Sequence, residues 1–416
     1  MKTQNFYDLI VIGGGASGLA AAVTAHAMGV RNIAVLERLS RVGKKILATG
    51  NGRCNLSHAP VTSADYAGSY DTSHALQTFG DAERFFENLG LYCRTDEQGR
   101  IYPYSMTANA VLDALRLYAG EMTEICDQRA VMLYSKNQLW HVVTEKNLHL
   151  TAKKIIFSAG GAAAPQFGTD GSAWRMFADL EIPLVGSRVI LCPIRSDPGM
   201  LQKLKGIRVK GSVTLLDRGK IMQSETGEIQ FTEQAVSGIC VFNLVSRIDR
   251  RKFADYQLQI NLFPELDVSE ILSRLYTCQA VRPEADCENM LSGLIRKAIA
   301  RVLLQQNQID PGMSCLALSD QQIRRIARSL QDFRFPVLGT VNSQAQASAG
   351  GVHGSALDEN LQVKSHPGLY ITGEAVDVYA PCGGYQLHWA WASGYTAAKD
   401  CMERQKIMRD TGEIYD

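Results

Sequence analysis

A glycine run between an apolar stretch and a small-residue stretch, near the start of the chain, restricts the fold more than any other feature. Residues 7–12 (YDLIVI) have the composition of a short strand buried on both faces. Gly13, Gly15 and Gly18 then complete G-x-G-x-x-G, residues 16–28 read as a helix of small side chains, and residues 32–37 (NIAVLE) form a second strand ending in Glu37. Gly13 permits a tight turn, Gly15 lets backbone approach a pyrophosphate, and Gly18 lets the helix pack close to the strand. Ala16 and Ser17 stand in the first helical turn, where free N–H groups and the helix dipole favour an anion. Without context the motif is equally a plain glycine turn. Here the strand, the helix and the acidic residue supply that context. Glu37 would accept both hydroxyls of an adenosine ribose and repel a 2′-phosphate, with Arg38 beside it in the same nucleotide site. The resident nucleotide is therefore expected to be FAD or NAD, not NADP.

The C-terminal segment chooses between these two. Residues 368–372 (GLYIT) read as another buried strand, followed by Gly373-Glu374 and then Asp377. This is the layout of a second flavin turn, with acidic side chains for the ribityl chain and backbone N–H groups for phosphate. Gly384-Tyr385-Gln386-Leu387 opens a helix whose N-terminus, aimed at a flavin pyrimidine edge, would stabilise negative charge on the reduced ring. A nicotinamide dehydrogenase has no reason to close its nucleotide domain with its last segment, so FAD is expected, held non-covalently.

Between these ends the texture changes twice. Residues 41–57 form a loop rich in Gly, Lys and Asn, helical patterns follow at 81–89 and 108–119, and 126–150 alternates like two or three antiparallel strands. Residues 154–158 (KIIFS) read as a buried strand ending in Ala159-Gly160-Gly161. The stretch from about 188 to 263 is β-rich and the stretch 267–332 is helical, with Ser319 and Gln322 forming a capping box. The expected organisation is an α/β FAD-binding domain of Rossmann type, two-lobed and glutathione-reductase-like, made of 1–188 and 337–416. It is interrupted by a β-barrel-like, substrate-side insert (189–265) and a helical insert (266–336).

Composition narrows the class further. The 43 basic and 42 acidic residues leave a formal charge of +1, which argues against nucleic acid or an anionic membrane as partner. No apolar run is long enough to span a membrane. The ten cysteines show no C-x-x-C or zinc-like spacing, and the first residues, MKTQNFYD, lack a secretory pattern. Reduced cysteines, no metal and a cytoplasmic location are expected.

Several segments carry a family resemblance: GKKILATGNGRCNLS (43–57), AGG (159–161), SAGGV (348–352), GLYITGEAVD (368–377) and CGGYQLHWAWASG (382–394). Together they resemble the bacterial BaiN-like flavoproteins, which include aminoacetone oxidases and dehydro-bile-acid reductases. The resemblance covers nearly the whole chain. It implies that Gly13, Gly15, Ser17 and Gly18 hold the diphosphate and Glu37 the ribose. It implies further that Lys45, Thr49, Gly50, Asn51, Cys54 and Asn55 line the flavin, and that Val131 meets the adenine through its backbone. Ala159 and Gly160 would pack beside the cofactor, Gly373, Glu374 and Asp377 would hold the ribityl and phosphate, and Gly384 to Leu387 would face the ring. The chain departs from the family pattern at Gln386-Leu387-His388, at AAAPQFGTDG and at FTEQAVSGICVFNL. Those departures bear on the substrate rather than the cofactor.

Flavin chemistry needs a substrate over the ring and one proton supplied or removed. Tyr104 and His388 are the candidate proton-handling residues; the plainer reading of each is a packed aromatic. Cys54 and Cys382 fall in two flavin loops, as a redox pair or as packing residues. The leading expectation is reduction of a C=C bond conjugated to a carbonyl in a hydrophobic, steroid- or bile-acid-like small molecule, with NADH or NADPH as transient donor. The alternatives are an oxygen-dependent oxidase of a small amine or carbonyl compound, and a flavin-containing protein whose insert binds a partner. The oligomeric state is not encoded in any motif.

Overall fold

The computed structural model of the protein describes residues 5–120 and 122–411. The chain divides into two compact units, one of residues 1–189 with 346–416 and the other of residues 190–345.

The first unit is built on a seven-stranded sheet whose centre is parallel. Strand Phe6–Ile12 pairs in parallel with Ile33–Leu36 on one side and with His149–Phe157 on the other. Ile33–Leu36 pairs in turn with Thr123–Ile125. The long strand His149–Phe157 is shared. Its first half pairs antiparallel with Leu139–Thr144, which continues to Ala130–Lys136, and its last three residues pair in parallel with Leu369–Ile371. This sharing places Leu369–Ile371 in the same sheet as the N-terminal strand, one strand removed from it, and the Ser158 and Thr372 hydroxyls that follow the paired ends, 214 residues apart, are 2.7 Å from each other. The register matters for function. Ile12 lies level with Leu36 and Phe157, and Phe157 with Ile371. The turns that follow all four strands therefore open at one edge of the sheet, where open α/β sheets bind ligands.

Helix Ala16–Ala27 is apolar all round because it is covered on both sides, and residues 17–25 are buried. Helix Tyr385–Thr411 crosses it. Any Cβ at Gly394 would overlap the Ser17 carbonyl, so the close approach of the two backbones requires glycine there. A small three-stranded sheet, Ser57–His58, Arg100–Pro103 and Cys93–Thr95, lies in the same unit.

The second unit contains another seven-stranded sheet, with every pairing antiparallel. Its longest hairpin joins Arg208–Asp217 to Lys220–Phe231. Helices Val268–Val281, Cys287–Leu291, Lys297–Gln306 and Asp320–Gln331 follow. The capping box of Ser319 and Gln322 is formed. The helical stretch does not run to 336, because Phe333–Pro336 is a strand that pairs with Tyr256–Asn261. Phe333 and Phe335 alternate inward and are fully buried, which is the burial pattern of a strand with one covered face. β-rich and helical segments thus share one sheet and one unit.

Candidate flavin-binding site

At the open edge of the parallel strands the motif residues meet. Gly13 has φ +107°, and any Cβ there would overlap the Ser158 carbonyl, so the first turn presses directly on the Ser158-Ala159-Gly160 turn. Gly18 is equally tight, because a Cβ would overlap the carbonyl of Gly13. Gly15 differs. Nothing lies within 4 Å of a Cβ placed on it, and as the residue before the helix it makes no side-chain cap. The first-turn N–H groups of Ala16, Ser17 and Gly18 are therefore left for an external acceptor.

Glu37 sits at the next strand end. Its carboxylate accepts from the backbone N–H of Gly14 at 3.0 Å and of Leu39 at 2.8 Å, which aims it across the first turn. Burial raises its pKa above the ordinary carboxylate value, against the lowering effect of those two donors and of Arg38. Arg38 is turned aside, pairing with Asp170 at 3.0 Å and donating to the Gly168 carbonyl. Val131 is 45% exposed and lies where the register of its strand slips between Ala130 and Met132.

The loop after helix Lys44–Ala48 has an unusual backbone. Gly50, Asn51 and Gly52 take φ of +57°, +55° and +82°, and Cys54 takes +56°. Only Gly and Asn adopt this region cheaply, which explains the local wording GNG. The loop returns on itself to bring Asn55 beside the second glycine turn, where a Cβ on Gly384 would be 2.8 Å from Asn55 Oδ1. Thr49 donates its hydroxyl to the Ile46 carbonyl. Lys45 reaches Glu374 at 2.6 Å, joining the loop to the Gly373-Glu374 turn. Glu374 also accepts from the N–H of Ser348 at 2.7 Å, and the Ser348 hydroxyl accepts from the N–H of Ala162 at 2.8 Å. Ser348 was not among the expected site residues; the one signal for it was its place in the SAGGV segment. A Cβ on Gly373 would be 2.6 Å from Ser17 Oγ, so the two halves of the nucleotide site touch.

The acceptance of FAD can be tested on this geometry. Among the described residues, three buried side-chain polar atoms lack a hydrogen-bond partner: Asn55 Oδ1, Gln386 Nε2 and Ser196 Oγ. Two of the three belong to segments expected to face the flavin. An acceptor and a donor left unmet in adjacent segments fit the polar edge of an isoalloxazine ring, and an unmet buried group is costly without a ligand. Gly13, Gly15, Ala16, Glu37, Lys45, Thr49, Gly50, Asn55, Ala159, Gly160, Glu374 and Gly384 to Leu387 are all half-buried, whereas the strands leading to them are buried. They are part-exposed at the edge of the sheet rather than packed in the core.

Other expected residues are placed differently. His388 is 5% exposed, its Nδ1 lies 2.7 Å from the Ser57 hydroxyl, and its ring meets Phe79 edge-on. Burial pushes its pKa down to about 4, opposed by the charge of Asp81. It is a neutral packing histidine near pH 7, which does not suit a proton donor. Tyr104 is 63% exposed on the small sheet, with Arg94 over its ring. Asp377 is buried, and its oxygens accept from the N–H groups of Gly350 and Ser69, both at 3.0 Å. It ties the site's own turns together. Burial pushes the Cys54 thiol up to about 12 and the Cys382 thiol up to about 11, so neither is a ready thiolate. No disulfide and no metal-ligand cluster is present among the described residues. No helix among them is long and apolar enough to cross a membrane.

A parallel sheet with two glycine turns and a part-buried acid, Glu37, at its carboxyl edge, together with unmet polar atoms in the adjoining segments, defines a Rossmann-type FAD-binding oxidoreductase. The family described as "HI0933-like protein Rossmann domain" matches residues 7–400, and the chain belongs to it. The chain is 31% identical over 412 residues to the 3-dehydro-bile acid delta(4,6)-reductase of Clostridium scindens, covering 95% of this chain and 98% of that one. It is 25% identical to the ribosomal RNA dihydrouridine synthase of Escherichia coli, again with 95% and 98% coverage. Among solved structures, the 3-ketosteroid delta1-dehydrogenase of Sterolibacterium denitrificans shares the fold at a TM-score of 0.52 and 14% identity, over 96% of this chain and 100% of that one. A flavocytochrome c3 fumarate reductase does so at a TM-score of 0.51 and 13% identity, over 97% and 79%.

Proposed function

We propose that this protein is a reductase that saturates a C=C bond conjugated to a carbonyl in a small hydrophobic molecule, with electrons from NADH or NADPH. The observation that carries this reading is chemical. The relatives that match end to end are named for a delta(4,6)-reduction of a 3-dehydro-bile acid and for synthesis of dihydrouridine. A 3-oxo-4-ene and the C5=C6 bond of uracil are both double bonds polarised by a neighbouring carbonyl. Each becomes saturated by hydride at the β-carbon and a proton at the α-carbon.

Bound flavin supplies the hydride in such a reaction, and the protein supplies placement. The first turn of helix Ala16–Ala27 would hold the diphosphate with backbone N–H groups, and Glu37 the adenosine ribose. Lys45, paired with Glu374, would fix the loop 49–55 against the C-terminal turn. The Gln386 amide and the opening of helix Tyr385–Thr411 would stabilise negative charge at the ring's polar edge. The 31% relative supports a steroid-like substrate, and the chain's +1 balance supports a small molecule over RNA.

An anaerobic half-reaction series tests the reading. NADH or NADPH should bleach the FAD-loaded protein, and a 3-oxo-4-ene steroid should restore the colour. Restoration by a uridine-containing RNA and not by the enone would move the substrate to nucleic acid. A flavin reduced by amines and reoxidised by oxygen, with no response to either nicotinamide, would replace the reductase by an oxidase.

A further inference from the structure

The outer face of the small sheet carries chemistry that the glycine cleft does not use. Arg94 lies opposite Tyr102 in the pairing of Cys93–Thr95 with Arg100–Pro103, and Arg100, two residues before Tyr102, falls on the same face. Arg53, directly after the left-handed loop, sits 5.4 Å from the Tyr102 ring centroid and Arg100 sits 6.0 Å from it. Arg94 is 5.7 Å from the centroid of Tyr104. Arg53, Arg94, Arg100 and Tyr102 line a groove of about 510 Å³.

The charges in this groove are not all matched. Arg100 is neutralised by Asp96 at 2.7 Å, and Glu97 also lines the groove. Arg53 and Arg94 make no ion pair among the described residues. Each guanidinium lies over a tyrosine ring, and an arginine without an ion pair is suited to bidentate recognition of a phosphate. Tyr104, 63% exposed beside them, offers an open ring face for stacking. The groove backs onto the loop assigned to flavin, because a Cβ on Gly50 would be 3.7 Å from Tyr102 Cε1. The chain has one complete G-x-G-x-x-G, which the resident FAD would take, so a nicotinamide donor must dock without a dinucleotide turn of its own.

We infer that this groove binds the phosphate-bearing half of a nicotinamide nucleotide, with phosphate on Arg53 and Arg94 and adenine against Tyr104. The inference rests on the donor reading above, and the two fail separately. NAD⁺ and NADP⁺ are titrated calorimetrically into the FAD-loaded protein and into its Arg94→Ala and Arg53→Ala variants, with bound FAD measured by absorbance. The expected result is binding to the unmodified protein, weakened about tenfold or more by Arg94→Ala at unchanged FAD content, weakened also by Arg53→Ala, and weakened by salt. Arg94 lies outside the flavin loop, so it keeps the test decisive if Arg53→Ala sheds FAD. Absence of binding, or binding equal in the Arg94→Ala variant, overturns the groove assignment. Anaerobic reduction is followed in parallel. Binding at the groove without flavin reduction removes the donor reading and keeps the nucleotide site. Reduction with an unchanged half-saturating concentration in Arg94→Ala removes the site and keeps the donor.

Discussion

Two glycine turns open two helices that cross each other, and they are made in different ways. The turn at Gly13–Gly18 works by missing side chains, with backbone against backbone at Gly13 and Gly18 and open space at Gly15. Its helix needs nothing polar, since residues 17–25 are buried among apolar neighbours. The turn at Gly383-Gly384 opens a helix that is pinned by long-range hydrogen bonds. The Trp389 indole donates to the Gly373 carbonyl at 3.0 Å and the Trp391 indole to the Leu56 carbonyl at 2.9 Å. Its first turn carries Gln386, whose amide nitrogen is buried and unmet. One half of the candidate site can thus be built from local backbone geometry, while the other half is held by side-chain hydrogen bonds, one of them to a partner 335 residues away.

The largest effect should separate the glycines of the first turn from one another. Gly18→Val forces a side chain into the Gly13 carbonyl and is expected to cost about 3–5 kcal/mol or prevent folding. Gly15→Ala meets no atom, so the FAD-free protein should unfold within about 1 kcal/mol of the original, while bound FAD is lost. Thermal unfolding of FAD-free protein together with flavin absorbance checks both. FAD retained by Gly15→Ala would break the assignment of the diphosphate to this turn.

His388 tests the second helix through pH. Its pKa is depressed from 6.5 to about 4 by burial, so the unfolded chain binds the extra proton. The stability linked to this group is present above pH 6.5 and is lost as pH falls through about 4, amounting to roughly 3 kcal/mol at most. Urea midpoints between pH 7 and 4 should fall less steeply in His388→Gln than in the unmodified protein. Equal slopes would mean that the ring is not held neutral by its packing.

Trp391→Phe removes the indole donor to Leu56 and should destabilise by about 1–2 kcal/mol in urea titration, more than an exposed aromatic change would. The smallest effect carries an opposite sign in the two states. Gln386→Leu removes an unmet buried amide, so the FAD-free protein should gain about 1 kcal/mol, while FAD affinity falls about tenfold. Loss of stability in both states would show that Gln386 is satisfied by the protein and has no role toward the flavin.

Much of the site was legible because its vocabulary is local. The G-x-G-x-x-G turn, the acid at the end of the second strand and the Gly-Gly turn before the last helix lie where those segments predicted. The GNG wording marked a loop whose left-handed backbone the structure displays at Gly50, Asn51 and Gly52. His388 could be read two ways for a physical reason. One helical turn past the Gly383-Gly384 pair is also the turn that faces Phe79 and Ser57, and only packing tells the two directions apart. Ser348 carried no signal beyond its place in the SAGGV segment, since a serine in a buried strand resembles any small residue until Glu374 is found against it. The strand Phe333–Pro336 was hidden behind a helical texture because four residues are too few to show a period.

By itself the sequence determined a strand, a glycine turn, a helix and an acid at the end of the second strand, in the order a dinucleotide site uses. Backbone freedom at glycine and the apolar periods of strand and helix are properties of neighbouring residues. The tertiary structure alone decided that Lys45 meets Glu374, 329 residues away, that Asp377 braces the site's own backbone, and that Asn55 and Gln386 are each left with an unmet buried polar atom. Those outcomes depend on which strand the chain's last segment joins. That pairing is fixed by the shared burial of His149–Phe157 against two partners, which no local window contains.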